Sequence, residues 1–130
     1  MALAAGLPKD KLPVLEIDSL WTPATINDPE LTGRFVRSAS KILGENNVVE
    51  MEPNMVGEDF SFLGRQDKKV KTCMFWLGAI AEEQYGKYKN GEISLPSLHS
   101  ATFAPLPTPT INTGIKTMTA TVIDLFTNKK

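Results

Sequence analysis

The chain contains a single histidine, His99, inside a proline-rich stretch that shows neither helical nor strand periodicity. An imidazole is the commonest metal ligand among side chains, and it also exchanges a proton near neutral pH. A lone histidine in a loop has structural uses as well. By itself, His99 is therefore compatible with two interpretations. It is either a metal ligand or a structural side chain, on the surface or packed inside.

A second candidate for chemistry is the run Gly57-Glu58-Asp59-Phe60. Glycine permits close approach of the backbone, and free amides at the start of a helix favour an anionic ligand. One interpretation is a loop that positions a substrate, or whose carboxylates support a metal site. The other interpretation is plain capping of the brief helix that follows, because Asp is a favoured cap. The two functions can coexist.

The elements that must position these residues are predicted from local patterns. Asp28, Pro29 and Glu30 form a favourable helix start, and Gly44 ends the helix. Alternating or continuous apolar residues predict strands at 14–20, 48–51 and 70–79, of which the last is the strongest. A brief helix with Phe60, Phe62 and Leu63 inward and a final helix are also expected. The inward stripe of the final helix comprises Ile111, Ile115, Met118, Val122 and Leu125.

This order of strands and helices predicts an α/β fold, a layered sheet with flanking helices. The apolar centre of 70–79 predicts a strand that is covered on both faces, as in a parallel sheet. Residues 82–112, with Pro96, Pro105, Pro107 and Pro109, form the longest irregular stretch. Loops longer than about 12–15 residues are commonly functional.

Composition excludes several classes of function. The net charge is −1 over 130 residues and no basic block occurs, which argues against a nucleic-acid or membrane-surface partner. The longest apolar run is too short to span a bilayer.

The only cysteine, Cys73, lies in an apolar stretch and is expected to be a buried, inert thiol. We expect no targeting segment, a reducing compartment and a cytoplasmic location.

Several segments, taken in order, resemble the zinc metallopeptidase and amidohydrolase family that includes aminoacylases, hippurate hydrolases, auxin-conjugate hydrolases and glutamate carboxypeptidases. The similarity covers nearly the whole chain, although no single segment is specific. The segments that carry it are Ala4-Ala5-Gly6-Leu7-Pro8, Leu12-Pro13, Thr22-Pro23-Ala24-Thr25-Ile26-Asn27-Asp28-Pro29, Val48-Val49-Glu50, Gly57-Glu58-Asp59-Phe60, Phe75-Trp76-Leu77-Gly78-Ala79, Leu98-His99-Ser100, Phe103-Ala104-Pro105 and Thr113-Gly114.

The resemblance implies the C-terminal part of a metallopeptidase-type catalytic domain at 25–130, preceded at 1–24 by the end of a lid or dimerisation domain and its junction. It implies His99 as a ligand of a divalent metal, expected to be zinc, with Ser100 in the second shell. Gly57, Glu58 and Asp59 would bind the substrate, an N-acyl amino acid or a short peptide. The family's other ligands and its general base have no counterpart here, so no catalytic residue is assigned and the chain alone is expected to be inactive.

Two rival functions stay open at this point. The chain could be a non-catalytic binding or oligomerisation module derived from that family, or a metal-independent ligand binder that uses the Gly57 loop. Half of a sheet would also leave open edges and an apolar face, and such surfaces favour association. The sequence therefore predicts a homo-oligomer.

Overall fold

The computed structural model describes residues 1–67 and 70–127. Within those ranges the regular structure consists of four α-helices: α1 (Pro29–Leu43), α2 (Leu63–Gln66), α3 (Glu82–Lys89) and α4 (Pro107–Thr127). Three turns of 3-10 helix accompany them, at Lys9–Lys11, Glu45–Asn47 and Asp59–Phe62. No helix in the described part is both long and apolar enough to cross a membrane.

The predicted α/β layered sheet is wrong, because residues 1–67 and 70–127 contain no strand. A strand requires a second backbone segment to pair with, and apolar alternation cannot guarantee that such a segment exists. The stretch at 14–20 illustrates this, since Leu15 and Ile17 from one face and Val14 and Leu20 from the other are all more than 80% exposed. The predicted strand at 48–51 is likewise irregular.

The stretch at 70–79, predicted as the strongest strand, is anchored near its middle and at its end. The Asn27 side chain donates from Nδ2 to the carbonyl of Met74 over 2.7 Å and accepts the Met74 amide over 2.8 Å. At the end of the stretch, Leu106 donates its amide to the carbonyl of Ala79 over 2.8 Å. Among the described residues, nothing pairs with the backbone groups of residues 75–77. The segment is therefore held in place but has no neighbouring strand.

Helix α1 forms where the sequence predicts it. The Asp28 carboxylate accepts the Leu31 amide over 2.8 Å, Pro29 occupies the first turn, and Gly44 ends the helix at φ 87°. This positive φ is a backbone conformation that glycine adopts without steric cost. Every signal for this helix lies within the segment itself, which explains why the prediction is confirmed.

Asp28→Ala should destabilise the protein by about 1 kcal/mol, because an amide of the first turn loses its acceptor. The free energy of unfolding from urea titration measures the change. Asp28→Asn is the matched control, since asparagine caps as well as aspartate but carries no charge. An equal loss in both variants would show that charge, and not capping, stabilises the helix start.

The packing of α1 against α4 uses small side chains. Ser38 and Ala39 are the buried residues of α1, and Gly114, Thr117 and Thr121 are those of α4. The threonines can be buried because each hydroxyl donates to a backbone carbonyl one turn earlier, over 2.9 Å for Thr117 and 2.8 Å for Thr121. Small residues therefore let the two helix backbones approach closely.

An ion pair reinforces the same interface. Arg34 donates from Nε to the Asp124 carboxylate over 2.8 Å and from Nη2 to the Asp124 carbonyl over 2.6 Å. The two side chains are only 18% and 26% exposed. Hydrogen bonds to charged groups in such partly buried places are stronger than neutral ones, so this contact fixes the register of α4 on α1.

The inward stripe predicted for the final helix points largely to solvent, which corrects the expected register. Ile111, Ile115 and Met118 are each close to 60% exposed, and Val122 is 46% exposed. Only Leu125 of that stripe is half-buried. The physical reason is that α4 packs its small residues inward, Thr117 and Thr121 at the interface with α1 and Gly114 against Leu77 of the 70–79 stretch.

The segment predicted as irregular between residues 82 and 112 contains α3 and the first six residues of α4. Helix α3 has no buried residue, and a hydrogen-bonded pair from Lys87 to Glu83 spans one of its turns over 2.7 Å. A helix that buries nothing has no apolar stripe, so periodicity cannot reveal it.

Candidate functional site

His99 lies in an exposed pair of consecutive turns. The Ser100 amide donates to the Ser97 carbonyl over 2.9 Å, and the Phe103 amide donates to the Ser100 carbonyl over 3.0 Å. These bonds order the backbone on both sides of the histidine. His99 itself makes no hydrogen bond or ion pair with residues 1–67 or 70–127. The imidazole is therefore available to a ligand that comes from outside these residues.

Ser100 is engaged within the turn. Its Oγ lies 2.8 Å from Oγ1 of Thr102 and accepts the Thr102 amide over 3.2 Å. These contacts stiffen the loop that presents His99. Support of the imidazole by the Ser100 hydroxyl stays a prediction.

The described residues do not form a complete metal site. A structural or catalytic zinc site takes at least three protein ligands. No group of three or more His, Cys, Asp or Glu side chains that could hold a metal ion occurs within 1–67 and 70–127. The exposed, unbonded imidazole of His99 fits the role of a single ligand to a metal held jointly with other residues.

Residues 57–59 open a helical turn, but its cap is not the Asp that the capping interpretation favoured. The cap is Glu58, whose Oε1 accepts the Phe60 amide over 3.4 Å, while Asp59 is the first residue of the turn. A side chain added at Gly57 would make only ordinary contact with Thr22, at 3.7 Å. None of the described neighbours therefore requires a glycine at position 57. Close approach of a ligand to the backbone stays the predicted reason for it.

The brief helix after Gly57 is confirmed, but its inward residues differ from those predicted. Phe62 is 40% exposed and Leu63 is 56% exposed, whereas Ser61 is buried at 6% exposure. Phe60 is half-buried, as expected. The apolar residues of this turn thus lie mostly open to solvent.

Both candidate loops attach to the stretch 70–79. Glu58 lines a hollow of about 130 Å³ together with Val56, Met74, Phe75 and Trp76. The loop of His99 returns to the same stretch three residues beyond Trp76, where Leu106 binds Ala79. The stretch therefore contacts Glu58 directly and the chain segment that follows the loop of His99, and no hydrogen bond or ion pair among the described residues joins His99 to Glu58 or Asp59.

A larger apolar groove of about 160 Å³ lies beside α1 and α4. The Phe35 and Phe75 rings stack at its wall with their centroids 4.1 Å apart. Cys73 also lines it, half-buried, and Sγ lies 3.6 Å from the Thr32 hydroxyl. The thiol is therefore less buried than predicted, although it lies in apolar surroundings. The groove is lined by Leu31, Phe35, Cys73, Phe75, Met118, Thr121, Val122 and Leu125.

A charged cluster at the start of α1 was not apparent from sequence, because its members lie 41 residues apart. Lys71 donates a hydrogen bond to Glu30, and its Nζ lies 3.8 Å from Oδ1 of Asp28. The hydrogen bond from Lys71 lowers the pKa of the Glu30 carboxyl, and the same bond raises the pKa of Lys71. The cluster ties the stretch 70–79 to the first turn of α1.

Lys71→Met should raise the pKa of Glu30 toward its ordinary value, because the bond that favours the ionised carboxylate is removed. In the unaltered protein, a lowered folded-state pKa contributes stability that is present above the unfolded pKa and is lost as pH falls through the folded value. Carboxyl titration by NMR measures the shift, with Lys116→Met on α4 as the control. The same Glu30 titration curve in all three proteins would refute the assignment.

The model of a family described as peptidase family M20/M25/M40 matches residues 14–102. That range includes Gly57, Glu58, Asp59 and His99. No solved structure matches the chain.

Two relatives carry the name N-acetyldiaminopimelate deacetylase. The one from Limosilactobacillus reuteri is 38% identical over 79 residues, which are 61% of this chain and 16% of the relative. The one from Lactobacillus acidophilus is 37% identical over 98 residues, which are 75% of this chain and 21% of the relative. The matched region thus spans about a fifth or less of either relative.

Proposed function

Because this chain belongs to peptidase family M20/M25/M40, we propose that it forms part of a metal-dependent amidohydrolase acting on N-acyl amino acids or short peptides. The observation that carries the proposal is the family match over residues 14–102, which contains both predicted sites. The activity for which the two deacetylases are named, removal of the acetyl group from N-acetyldiaminopimelate, supports the substrate class.

In this proposal the remaining polypeptide supplies what residues 1–130 lack. The chain spans no more than about a fifth of the relatives it matches, so the whole enzyme's activity belongs to a larger assembly. The general base and the other metal ligands lie in that remainder. Residues 1–130 alone are proposed to be inactive.

His99 would hold the divalent metal, proposed to be zinc, from the loop side of the site. When bound, such a metal polarises the amide carbonyl and lowers the pKa of water toward about 7. The turns around Ser97–Phe103 orient the imidazole and limit the conformational freedom that metal binding would otherwise have to restrict. Ser100 acts indirectly, by stiffening this loop through Thr102.

Gly57, Glu58 and Asp59 would position the substrate beside the hollow of about 130 Å³. The apolar wall formed by Met74, Phe75 and Trp76 is suited to carbon chains, and Glu58 supplies a carboxylate at the edge. Because Glu58 already caps the following turn, its position is defined before a substrate arrives.

The test is hydrolysis by a chimaera in which residues 14–102, the range of the family match, replace the corresponding region of the Limosilactobacillus reuteri deacetylase. We expect release of acetate from N-acetyl amino acids, loss of that activity after chelation, and recovery on adding zinc. The unaltered deacetylase is the control. A chimaera that folds and binds metal as the control does, yet never hydrolyses an amide, would contradict the proposal.

The alternative function is a non-catalytic binding or oligomerisation module derived from the same family. The absence of a three-ligand cluster within 1–67 and 70–127 and the many exposed apolar side chains favour it. It predicts that the chain binds a partner with equal affinity before and after chelation of metal ions.

For either function, the single cysteine supports a reducing compartment, and we propose the cytoplasm.

A further inference from the structure

Asn90 and Gly91 form the only Asn-Gly pair in the sequence, and they lie at the C-terminal end of α3. Both residues are exposed. In such a pair, the backbone nitrogen of the glycine can attack the side-chain amide of the asparagine, because no Cβ on the glycine hinders the approach. By chemistry alone, Asn90 is therefore the most labile asparagine of the chain.

The folded backbone holds this pair in a conformation that does not react. Gly91 has φ 75°, and its amide donates to the Tyr88 carbonyl over 2.9 Å. The Glu92 amide donates to the Lys87 carbonyl over 2.9 Å, which completes a Schellman cap. Asn90 has ψ −3°, which keeps the Gly91 nitrogen well away from Cβ of Asn90. Because ring closure needs that nitrogen to eclipse Cβ, the reaction requires the cap to open.

Little holds the cap of α3 closed. The helix has eight residues and buries none of them, and isolated helices shorter than about 12–15 residues are marginal in water. Gly86 weakens it further, because a glycine inside a helix costs conformational entropy. Such segments open locally at a small cost in free energy. The chain can therefore reach the reactive conformation while the packing of α1 against α4 stays intact.

We propose that Asn90 is a site of spontaneous deamidation, with water as the co-reactant, and that opening of the α3 cap sets its rate. The deprotonated Gly91 nitrogen attacks Cγ of Asn90, the bond from Cγ to Nδ2 breaks, and Nδ2 leaves as ammonia. Water then opens the five-membered ring. Cleavage at Cγ leaves an aspartate at position 90, and cleavage at the backbone carbonyl carbon leaves an isoaspartate. Either product carries a new carboxylate, whose proton is released to solvent.

The product works against closure of the cap. Nδ2 of Asn90 donates to Oε1 of Glu92 over 3.0 Å, so a carboxylate at position 90 would face a second carboxylate. A negative charge is also unfavourable at the C-terminal end of a helix dipole. An isoaspartate adds a methylene group to the backbone and shifts the register of the cap. Deamidation is thus an irreversible, time-dependent switch in the segment between α3 and the loop of His99.

The test follows deamidation of the chain in mildly alkaline buffer by peptide mapping with mass spectrometry. We expect Asn90 to convert before the other asparagines, and about 3- to 100-fold more slowly in the folded chain than in urea, because the cap must open. Gly86→Ala should slow conversion by a further factor of about 2–5, since alanine stabilises the helix. The added Cβ meets no atom within 4 Å. Gly33→Ala on α1 is the matched control and should leave the rate unchanged.

The effect of the product is measured by amide hydrogen exchange at Gly91 and Glu92. Exchange in the aged chain should be about 2- to 5-fold faster than in the fresh chain, and Asn90→Asp should reproduce the effect of the charge. Asn90→Gln is the control, because its longer side chain would have to close a six-membered ring, and it should not change with age.

Three outcomes would contradict the proposal, each at a different step. Conversion of Asn90 no faster than that of the other asparagines in the folded chain would remove the site. Equal rates in the folded chain and in urea, or no effect of Gly86→Ala, would show that the cap does not set the rate. Unchanged exchange at Gly91 and Glu92 after complete conversion would show that deamidation does not act as a switch.

Discussion

Replacing His99 by alanine in the chimaera should lower bound metal and amide hydrolysis together, with turnover falling by more than about 100-fold. Loss of an outer-shell partner of a metal ligand typically costs about 10–100-fold, and loss of a direct ligand should cost more. His99 is exposed and makes no hydrogen bond within the described residues, so the substitution removes little from the fold itself. Metal content by mass spectrometry and initial rates measure the two effects.

Leu98→Ala is the matched control, because Leu98 is the adjacent residue of the same loop and is 49% exposed. We expect this variant to keep both metal and activity. A chimaera with His99→Ala that retained normal metal content and turnover would remove His99 from the site. Loss of activity with full metal content would give the imidazole a different function.

Ala39→Leu should destabilise the protein by about 1–3 kcal/mol, because extra methyl and methylene groups are forced into a close-packed helix interface. Ala39 is 1% exposed and lies on the side of α1 that packs against the small residues of α4. The added volume would push Thr117 and its neighbours away from α1. Urea unfolding monitored by circular dichroism measures the loss.

Val36→Leu is the control on the same helix, since Val36 is 41% exposed and has room for one more methylene. It should change the free energy of unfolding by less than about 0.5 kcal/mol, as surface substitutions usually do. If Ala39→Leu were as mild as this control, the helices would be separated widely enough to accept a larger side chain.

The parts of the fold that sequence predicts are those whose causes are local. The limits of α1 follow from Asp28, Pro29 and Gly44, all of which belong to the helix or its caps. The predicted strand at 70–79 fails because a strand depends on a neighbour, and no neighbouring strand lies within the described residues. The register of α4 fails for a related reason, since α1 selects the small side of the helix and not its most apolar side.

The sequence could identify the residues of the candidate site, but it could not predict how they are arranged in space. His99 and residues 57–59 are recognisable by type and order, and the family match includes them. Their attachment to the stretch 70–79 through Trp76 and Ala79 is a tertiary property that spacing cannot reveal. The cluster of Lys71 with Glu30 was missed for the same reason.

The bond between Arg34 and Asp124 joins residues 90 positions apart, and this separation bears on synthesis at the ribosome. Helix α1 ends at Leu43 and its partner begins at Pro107. At about 5–20 residues per second, roughly 3–13 s pass between the end of synthesis of α1 and the start of synthesis of α4. Folding of this core therefore completes late, and until then the nascent chain exposes the side of α1 that α4 later covers.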